Sequence, residues 1–121
     1  MTAKKIILIC DDEEGIRESL KLILENDYDL IFSCSGKECL EKLKDRKDIK
    51  LVLLDIKMPK QNGLEVTREI KRLRPDIKII IVTGYASPEI AQEASKAGSD
   101  NYIVKPFETA DILGKVNRYF K

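Results

Sequence analysis

The sequence predicts an α/β domain in which a doubly wound, five-stranded parallel sheet carries five helices on its two faces. Short apolar runs alternate five times with stretches whose apolar residues recur at helical spacing. No repeat, linker or low-complexity segment interrupts this alternation, so we expect one domain spanning 1–121. Five strands favour the order 2-1-3-4-5, which places a ligand-binding crevice beyond the carboxyl ends of strands 1 and 3.

The first two strand–helix units each combine an apolar run with a helical pattern. Ile6–Cys10 is the first predicted strand, and the helix after it ends at Asn26. Asp29–Cys34 is the second strand, and Ser35 is a suitable N-cap for a helix that runs to about Lys44. The residues expected to face the core from these helices are Ile16, Leu20, Ile23, Leu24, Cys39, Leu40 and Leu43.

The third unit contains the most continuously apolar strand. Leu51–Leu54 runs without a polar residue into Asp55, as expected for a strand that is covered on both faces. Asn62, with a glutamate three positions later, is typical of a helix start, and this helix extends to about Arg74, where a proline follows. Its expected core-facing residues are Leu64, Ile70 and Leu73.

The last two units complete the pattern. Lys78–Thr83 is rich in β-branched residues and is the fourth predicted strand. Ser87 and the proline after it begin the fourth helix, and Gly98 ends it. Tyr102–Val104 is the fifth strand, and we expect Thr109 to cap a fifth helix that runs to the last residue.

The composition excludes several classes of protein. Lys and Arg number 22 against 21 Asp and Glu, so a net charge of +1 gives no overall attraction to nucleic acid or to an anionic membrane. No apolar run approaches the length that spans a bilayer, and Ile6–Cys10 is too short for a signal peptide and is followed at once by acidic residues. We therefore predict a cytoplasmic protein with no direct nucleic-acid binding and no membrane contact.

Cysteine and histidine content restricts the chemistry further. Cys10, Cys34 and Cys39 lie in or beside apolar stretches without Cys-x-x-Cys spacing, so we interpret them as small buried hydrophobic residues. The sequence contains no histidine. Histidine-based triads, histidine metal ligands and a phosphohistidine on this chain are therefore excluded.

Polar side chains follow the predicted strands at their carboxyl ends. Asp11 and Asp12 follow strand 1, Asp55 follows strand 3, Thr83 ends strand 4 and Lys105 follows strand 5. Each has an ordinary structural explanation, and Asp55 taken alone fits a strand end before a turn better than a chemical role. Strands 1 and 3 are neighbours, however, so Asp12 and Asp55 would repel each other unless a cation is present or one of the two is protonated. Mg²⁺ is the ion that such oxygen ligands favour.

The side chains of Lys105 and Thr83 are also expected to reach Asp55. Strand 5 lies about 10 Å from strand 3, a distance that a lysine side chain spans, and Thr83 on the strand between them offers a hydroxyl. A cation, an ammonium group and a hydroxyl around one carboxylate suit a group with several negative oxygens, such as phosphoryl. Asp55 would then be the nucleophile, because aspartate forms acyl phosphates.

These motifs resemble the signature of the receiver domain of two-component response regulators, the CheY-like superfamily. The signature residues are Asp11-Asp12, Asp55 within Leu-Leu-Asp-Ile-Lys-Met-Pro, Thr83-Gly84 and Lys105-Pro106-Phe107. The resemblance covers essentially the whole chain. It implies that Asp55 accepts a phosphoryl group from a phosphohistidine on a sensor histidine kinase or a histidine phosphotransfer protein.

The resemblance also implies how the metal is held. Asp12, Asp55 and the backbone carbonyl of Lys57 would bind Mg²⁺, for which Mn²⁺ is an alternative, and Asp11 would assist through water. Lys105 would contact the phosphoryl group, and the peptide bond to the proline after it would be cis.

By the same resemblance, Thr83 and Tyr102 form a switch pair. Phosphorylation would draw the Thr83 hydroxyl towards the new phosphate and turn the Tyr102 ring inward. The face built from helix 4, strand 5 and helix 5 would change as a result, and with it the binding of a downstream protein target.

Three positions depart from the family pattern or vary within it. Asn62 stands where the family often has aspartate, a difference that concerns helix capping more than chemistry. Lys57 and Tyr85 match variable positions beside the phosphorylation site, and with Thr83 they resemble the single-domain intermediates of sporulation-type phosphorelays and some enhancer-binding regulators. We expect Lys57 and Tyr85 to set the lifetime of the acyl phosphate.

Three alternatives share parts of this pattern. A flavodoxin-like cofactor module would need a phosphate-binding loop after strand 1, where Asp11-Asp12-Glu13-Glu14 would repel phosphate. An aspartyl-phosphate phosphatase typically has an Asp-x-Asp motif that begins with its nucleophile. In this chain Lys57 stands where the second aspartate of that motif would be. A receiver-like module that is never phosphorylated would not need the full acidic set and Lys105.

Overall fold

A computed structural model of the chain describes residues 4–120. The strands are β1 (Lys5–Cys10), β2 (Tyr28–Ser33), β3 (Ile49–Leu54), β4 (Lys57–Met58), β5 (Gln61–Asn62), β6 (Lys78–Thr83) and β7 (Asn101–Val104). The helices are α1 (Glu14–Leu24), α2 (Gly36–Asp45), α3 (Gly63–Leu73), α4 (Pro88–Ala97) and α5 (Thr109–Arg118). Within the described range, no helix is both long and apolar enough to cross a membrane.

The main sheet has five parallel strands in the order β2-β1-β3-β6-β7. Because β4 and β5 lie outside this sheet, the order corresponds to the predicted 2-1-3-4-5, and the predicted fold class is confirmed. The crevice between β1 and β3, where the direction of strand addition reverses, is therefore the expected ligand position in this architecture.

The sheet separates two apolar clusters, which explains why its strands are apolar on both sides. Leu8 and Cys10 of β1 pack in a cluster with residues from α2, α3 and α4. Ile7 and Ile9 point to the opposite face and pack with residues from α1 and α5. Alternate residues of the same strand are thus buried on opposite faces, as in other parallel sheets that are covered by helices.

The sequence pattern gave no indication of a small antiparallel hairpin between β3 and α3. Its strands β4 and β5 contain two residues each, too few to show a periodic pattern. Pro59 and Lys60 form the turn, and Lys60 has a φ of 67°. Proline fits the first central position of such a turn, but the positive φ at the second normally favours glycine, so the lysine gives little local signal.

Four of the predicted helix caps are confirmed. Ser35, Asn62 and Ser87 are N-caps whose side chains accept hydrogen bonds from the backbone N–H of the first turn. Gly98 ends α4 with a φ of 113°, in the left-handed region that favours glycine. The predicted cap of α5 is wrong: the N-cap is Glu108, whose N–H donates to the Asp111 carboxylate at 3.1 Å, and Thr109 is the first helical residue.

Several other expectations need correction. Leu73 is 44% exposed because it is the last residue of α3, and Cys34 is exposed because β2 ends one residue earlier. The first helix ends at Leu24, two residues before the predicted Asn26. The predicted last helix ends at Arg118, and its expected final residue, Lys121, lies outside the described residues.

Gly63 brings the start of α3 directly against the backbone of Asp55. Its N–H donates to the carbonyl of Ile56 at 2.7 Å. A Cβ atom at Gly63 would lie 2.2 Å from the carbonyl oxygen of Asp55 and 2.6 Å from Cα of Ile56, and neither backbone atom can move aside alone. Only glycine therefore fits where α3 supports the end of β3.

We expect Gly63→Ala to lower the free energy of unfolding by about 2–3 kcal/mol, because the added methyl group overpacks a fixed backbone contact. Gly114→Ala is the matched control: Gly114 lies inside α5, and apart from its chain neighbours and the backbone of its own helix no heavy atom lies within 4 Å of the position that an alanine methyl group would take. Alanine favours a helix interior, so this control should raise stability by about 0.5–1 kcal/mol. Urea unfolding of both variants measures the difference, and equal shifts of the same sign would contradict the proposed contact.

Candidate functional site

Backbone hydrogen bonds continue past the ends of the strands and align the site residues. The N–H of Asp55 donates to the carbonyl of Cys10 at 3.1 Å, and the N–H of Asp11 donates to Ser33 at 3.1 Å. On the other side of the sheet, the N–H of Lys105 donates to Thr83 at 2.9 Å. These bonds fix Asp11, Asp55 and Lys105 at one edge of the sheet, at the carboxyl ends of their strands.

The Lys105 ammonium lies among three carboxylates. Its Nζ is 2.8 Å from Asp11 Oδ2, 3.1 Å from Asp55 Oδ2 and 3.3 Å from Glu13 Oε1. The Lys105 side chain is 11% exposed, and Asp11 and Asp55 are buried, whereas the Glu13 side chain is 62% exposed. The side chain thus spans β6 to reach Asp55, as the spacing of the strands predicts.

Asp12 adds a further carboxylate to this group. Oxygen atoms of Asp11, Asp12 and Asp55 lie within 4.8 Å of one another, and Asp12 is the exposed member. With Glu13, four carboxylates lie at this edge of the sheet, and the Lys105 ammonium contacts three of them. When all five groups are ionised, the local charge is strongly negative, so the site favours binding of a cation.

This donor set fits the metal that the sequence predicts. Three carboxylates that converge from the ends of two strands offer only oxygen ligands, which Mg²⁺ prefers. Asp12 faces solvent and leaves room for the water molecules that Mg²⁺ retains. The acidic cluster therefore has the chemistry and the access of a divalent-cation site.

Burial and charge change the acid–base behaviour of the site. Burial raises the pKa of Asp11, although the hydrogen bond from Lys105 acts in the opposite direction. Burial alone would lower the pKa of Lys105, but its hydrogen bonds and charge interactions with Asp11 and Asp55 outweigh burial and raise the pKa. Lys105 therefore stays protonated at neutral pH and keeps its positive charge beside Asp55.

The two predicted switch residues both contact the backbone of Tyr85. Thr83 is buried, and its Oγ1 accepts a hydrogen bond from the Tyr85 N–H at 3.2 Å. The Tyr102 hydroxyl donates to the Tyr85 carbonyl. Burial, with the charge of Asp55, raises the pKa of Tyr102. The backbone of Tyr85 is thus hydrogen-bonded to the hydroxyl groups of both Thr83 and Tyr102.

Lys57 and Tyr85 form one side of the opening above Asp55. The Lys57 ammonium lies 5.1 Å from the centre of the Tyr85 ring, a cation–π contact. A cavity of about 230 Å³ above the site is lined by Glu13, Asp55, Lys57, Thr83, Gly84, Tyr85 and Lys105. The Lys57 N–H is also 3.4 Å from Asp55 Oδ1, so this residue adjoins the carboxylate through its backbone as well.

The structure brings together the residues that the sequence singled out. Asp11, Asp12, Asp55 and Lys105 converge, and the Lys105-Pro106 peptide bond is cis. The sequence did not identify Glu13 as a partner of Lys105. The third consecutive acidic residue after β1 was the available signal, but the first turn of a helix commonly carries acids for other reasons.

Comparisons with known proteins agree with the site geometry. A family model described as "response regulator receiver domain" matches residues 7–117. The chemotaxis protein CheY of Halobacterium salinarum is 36% identical over 116 residues, which cover 95% of each chain. Sporulation initiation phosphotransferase F of Bacillus subtilis is 34% identical over 115 residues, covering 93% of this chain and 91% of that protein.

A solved structure supports the same relationship. The CheY-like response regulator receiver domain protein from Methanospirillum hungatei superposes with a TM-score of 0.90 at 39% identity, over 96% of this chain and 93% of that one. Sequence, site and fold therefore agree along nearly the full length of the chain. This chain belongs to the response regulator receiver domain family of two-component signal transduction.

Proposed function

We propose that this protein, as a single receiver domain over 1–121, accepts a phosphoryl group on Asp55 from a phosphohistidine on a partner protein. The observation that carries this assignment is the buried Asp55 carboxylate, 3.1 Å from the Lys105 ammonium and within the Asp11–Asp12–Asp55 cluster. Because the chain has no histidine, the phosphohistidine belongs to a sensor histidine kinase or a histidine phosphotransfer protein. The proposed location of the protein is the cytoplasm.

In the proposed reaction, a carboxylate oxygen of Asp55 attacks the phosphorus atom. The bond from this oxygen to phosphorus forms while the bond from phosphorus to the histidine nitrogen breaks, and the nitrogen keeps the electron pair. Lys105 holds a positive charge near the oxygens on which negative charge is concentrated. Thr83 offers its hydroxyl on the same side of the cavity.

Three groups would hold the divalent cation in this proposal: the carboxylates of Asp12 and Asp55 and the backbone carbonyl of Lys57. Asp11 would act through a bound water molecule. A bound Mg²⁺, or Mn²⁺ in its place, supplies charge neutralisation between the carboxylates and the phosphoryl oxygens. The convergence of the three aspartates within 4.8 Å supports this ligand set.

The proposed output is a change of surface rather than turnover of a substrate. The phosphoryl group would accept a hydrogen bond from Thr83, and the accompanying shift of Tyr85 would reposition Tyr102. The contacts of Thr83 and Tyr102 with the Tyr85 backbone support this coupling. The face of α4, β7 and α5 would then bind a downstream protein target differently. The protein is thus a signalling switch that catalyses its own phosphotransfer and slow autodephosphorylation.

We expect Mg²⁺ and a small phosphodonor to add one phosphoryl group to the protein, and Asp55→Asn to abolish the addition because the nucleophile is lost. Intact mass spectrometry measures the modification. Asp45→Asn, an exposed aspartate at the end of α2, is the matched control and should be modified like the wild-type protein. Equal modification of the Asp55 variant would contradict the assignment.

We expect Asp55→Asn to leave stability unchanged or to raise the free energy of unfolding by about 1 kcal/mol, because it removes one of several mutually repelling carboxylates. Lys105 keeps its contact with Asp11 at 2.8 Å in this variant. Added Mg²⁺ should raise the melting temperature of the wild-type protein by binding the folded state. A cooperative melt shifted clearly downward by either change would show that Asp55 has a structural role instead.

We expect the double variant Lys57→Ala, Tyr85→Ala to lose its phosphoryl group several-fold faster, because the cation–π pair no longer restricts the approach of water to Asp55. Tyr85→Phe is the control, since it keeps the aromatic ring and should keep the wild-type lifetime. Phosphorylated protein is separated from donor, and its mass is followed over time. The same decay rate in the double variant and the wild-type protein would refute this role.

A further inference from the structure

We propose that Glu13 occupies one N–H of Lys105 in the resting protein and has to release it before Lys105 can contact an incoming phosphoryl group. Glu13 is therefore a positioning residue that slows phosphorylation by small anionic donors. This inference rests on the proposed function of Asp55 as phosphoacceptor and concerns the rate at which that site is loaded.

In the described part of the chain, the Lys105 ammonium has no free hydrogen-bond donor. A lysine ammonium has three N–H groups and no acceptor. In this structure Asp11, Glu13 and Asp55 each accept from Nζ, at 2.8, 3.3 and 3.1 Å. All three donors are thus engaged by protein carboxylates. A phosphoryl oxygen gains a direct hydrogen bond from Lys105 only when one of these partners leaves.

Burial and distance identify the partner that leaves. The side chains of Asp11 and Asp55 are 3% and 5% exposed, so a carboxylate separated from Lys105 there would remain poorly solvated. The Glu13 side chain is 62% exposed and has the longest of the three contacts. Water solvates the released Glu13 carboxylate readily, so breaking this contact costs the least free energy.

The local backbone lets Glu13 move without damage to the fold. Glu13 is the N-cap of α1, and its side chain makes no capping hydrogen bond there in the described structure. Its N–H is held by Asp11 Oδ1 at 2.9 Å, so the backbone stays in place while the side chain swings out. The side chain lines the cavity above Asp55, on the side of Lys105, where a phosphoryl group has to enter.

Two effects of Glu13 then act in the same direction. Its carboxylate competes with phosphoryl oxygens for a Lys105 N–H, and its negative charge repels an anionic donor at the cavity mouth. Both effects weaken when the charge is removed, and the second also weakens in high salt. Exchange of the carboxylate for an amide of nearly equal size therefore isolates the contribution of charge.

The test uses acetyl phosphate with Mg²⁺ and compares wild-type protein, Glu13→Gln and Glu14→Gln at low and high salt. In the reaction the Asp55 oxygen–phosphorus bond forms, the bond from phosphorus to the acetate oxygen breaks, and acetate leaves with the electron pair. Glu14 is the matched control, because it carries the same charge one residue further on, in the first turn of α1. Intact mass against time gives the rate of phosphoryl uptake.

We expect Glu13→Gln to take up phosphoryl roughly two- to fivefold faster at low salt, the range of an exposed ion pair. The increase in rate should be smaller at high salt, whereas a purely structural effect of Glu13 would not depend on salt. Glu14→Gln should take up phosphoryl at the wild-type rate. Equal or slower uptake by Glu13→Gln would overturn the inference while leaving Asp55 as phosphoacceptor. An equal gain in both variants would also overturn it, because general charge would then explain the rate. If the wild-type protein takes up no phosphoryl group, the proposed function and this inference fall together.

Discussion

One ammonium group partly balances the carboxylates that two strand ends bring to the same edge of the sheet. Lys105 contacts Asp11, Glu13 and Asp55, and Asp12 lies beside them. Without this lysine the buried carboxylates would lack a protein counter-charge. With it, the site still has excess negative charge, and this excess makes the edge suitable for a divalent cation. The proposed chemistry at Asp55 depends on this incomplete balance.

Most of the fold could be predicted because its signals are strong and local. Continuous apolar runs such as Leu51–Leu54 identify strands that are covered on both faces, and Ser35, Ser87 and Gly98 mark helix ends through hydrogen bonds and backbone angles that few other residues provide. The β4–β5 hairpin was not predicted because strands of two residues are too short to show an alternating pattern. Glu108 was not predicted as the cap of α5 because glutamate rarely has this role.

The candidate site was predictable to the extent that topology alone determines it. Once the strand order is known, Asp11, Asp55 and Lys105 have to meet, since their strands end at one edge. Topology does not determine the direction in which each side chain points. The engagement of Glu13 with Lys105 and the contact between Lys57 and Tyr85 depend on rotamers of exposed side chains, which no sequence pattern specifies. The sequence therefore predicts the members of the site better than their partners.

The close packing of Gly63 makes the two walls of the site mechanically unequal. On the α3 side, backbone lies directly against backbone at Asp55, and no side chain stands between them to adjust. On the other side, the backbone of Tyr85 is contacted by the hydroxyl groups of Thr83 and Tyr102. If Asp55 is phosphorylated as proposed, the added group would meet fixed backbone on the α3 side and hydrogen-bonded side chains on the Tyr85 side. Any displacement would then be directed towards β7 and away from α3.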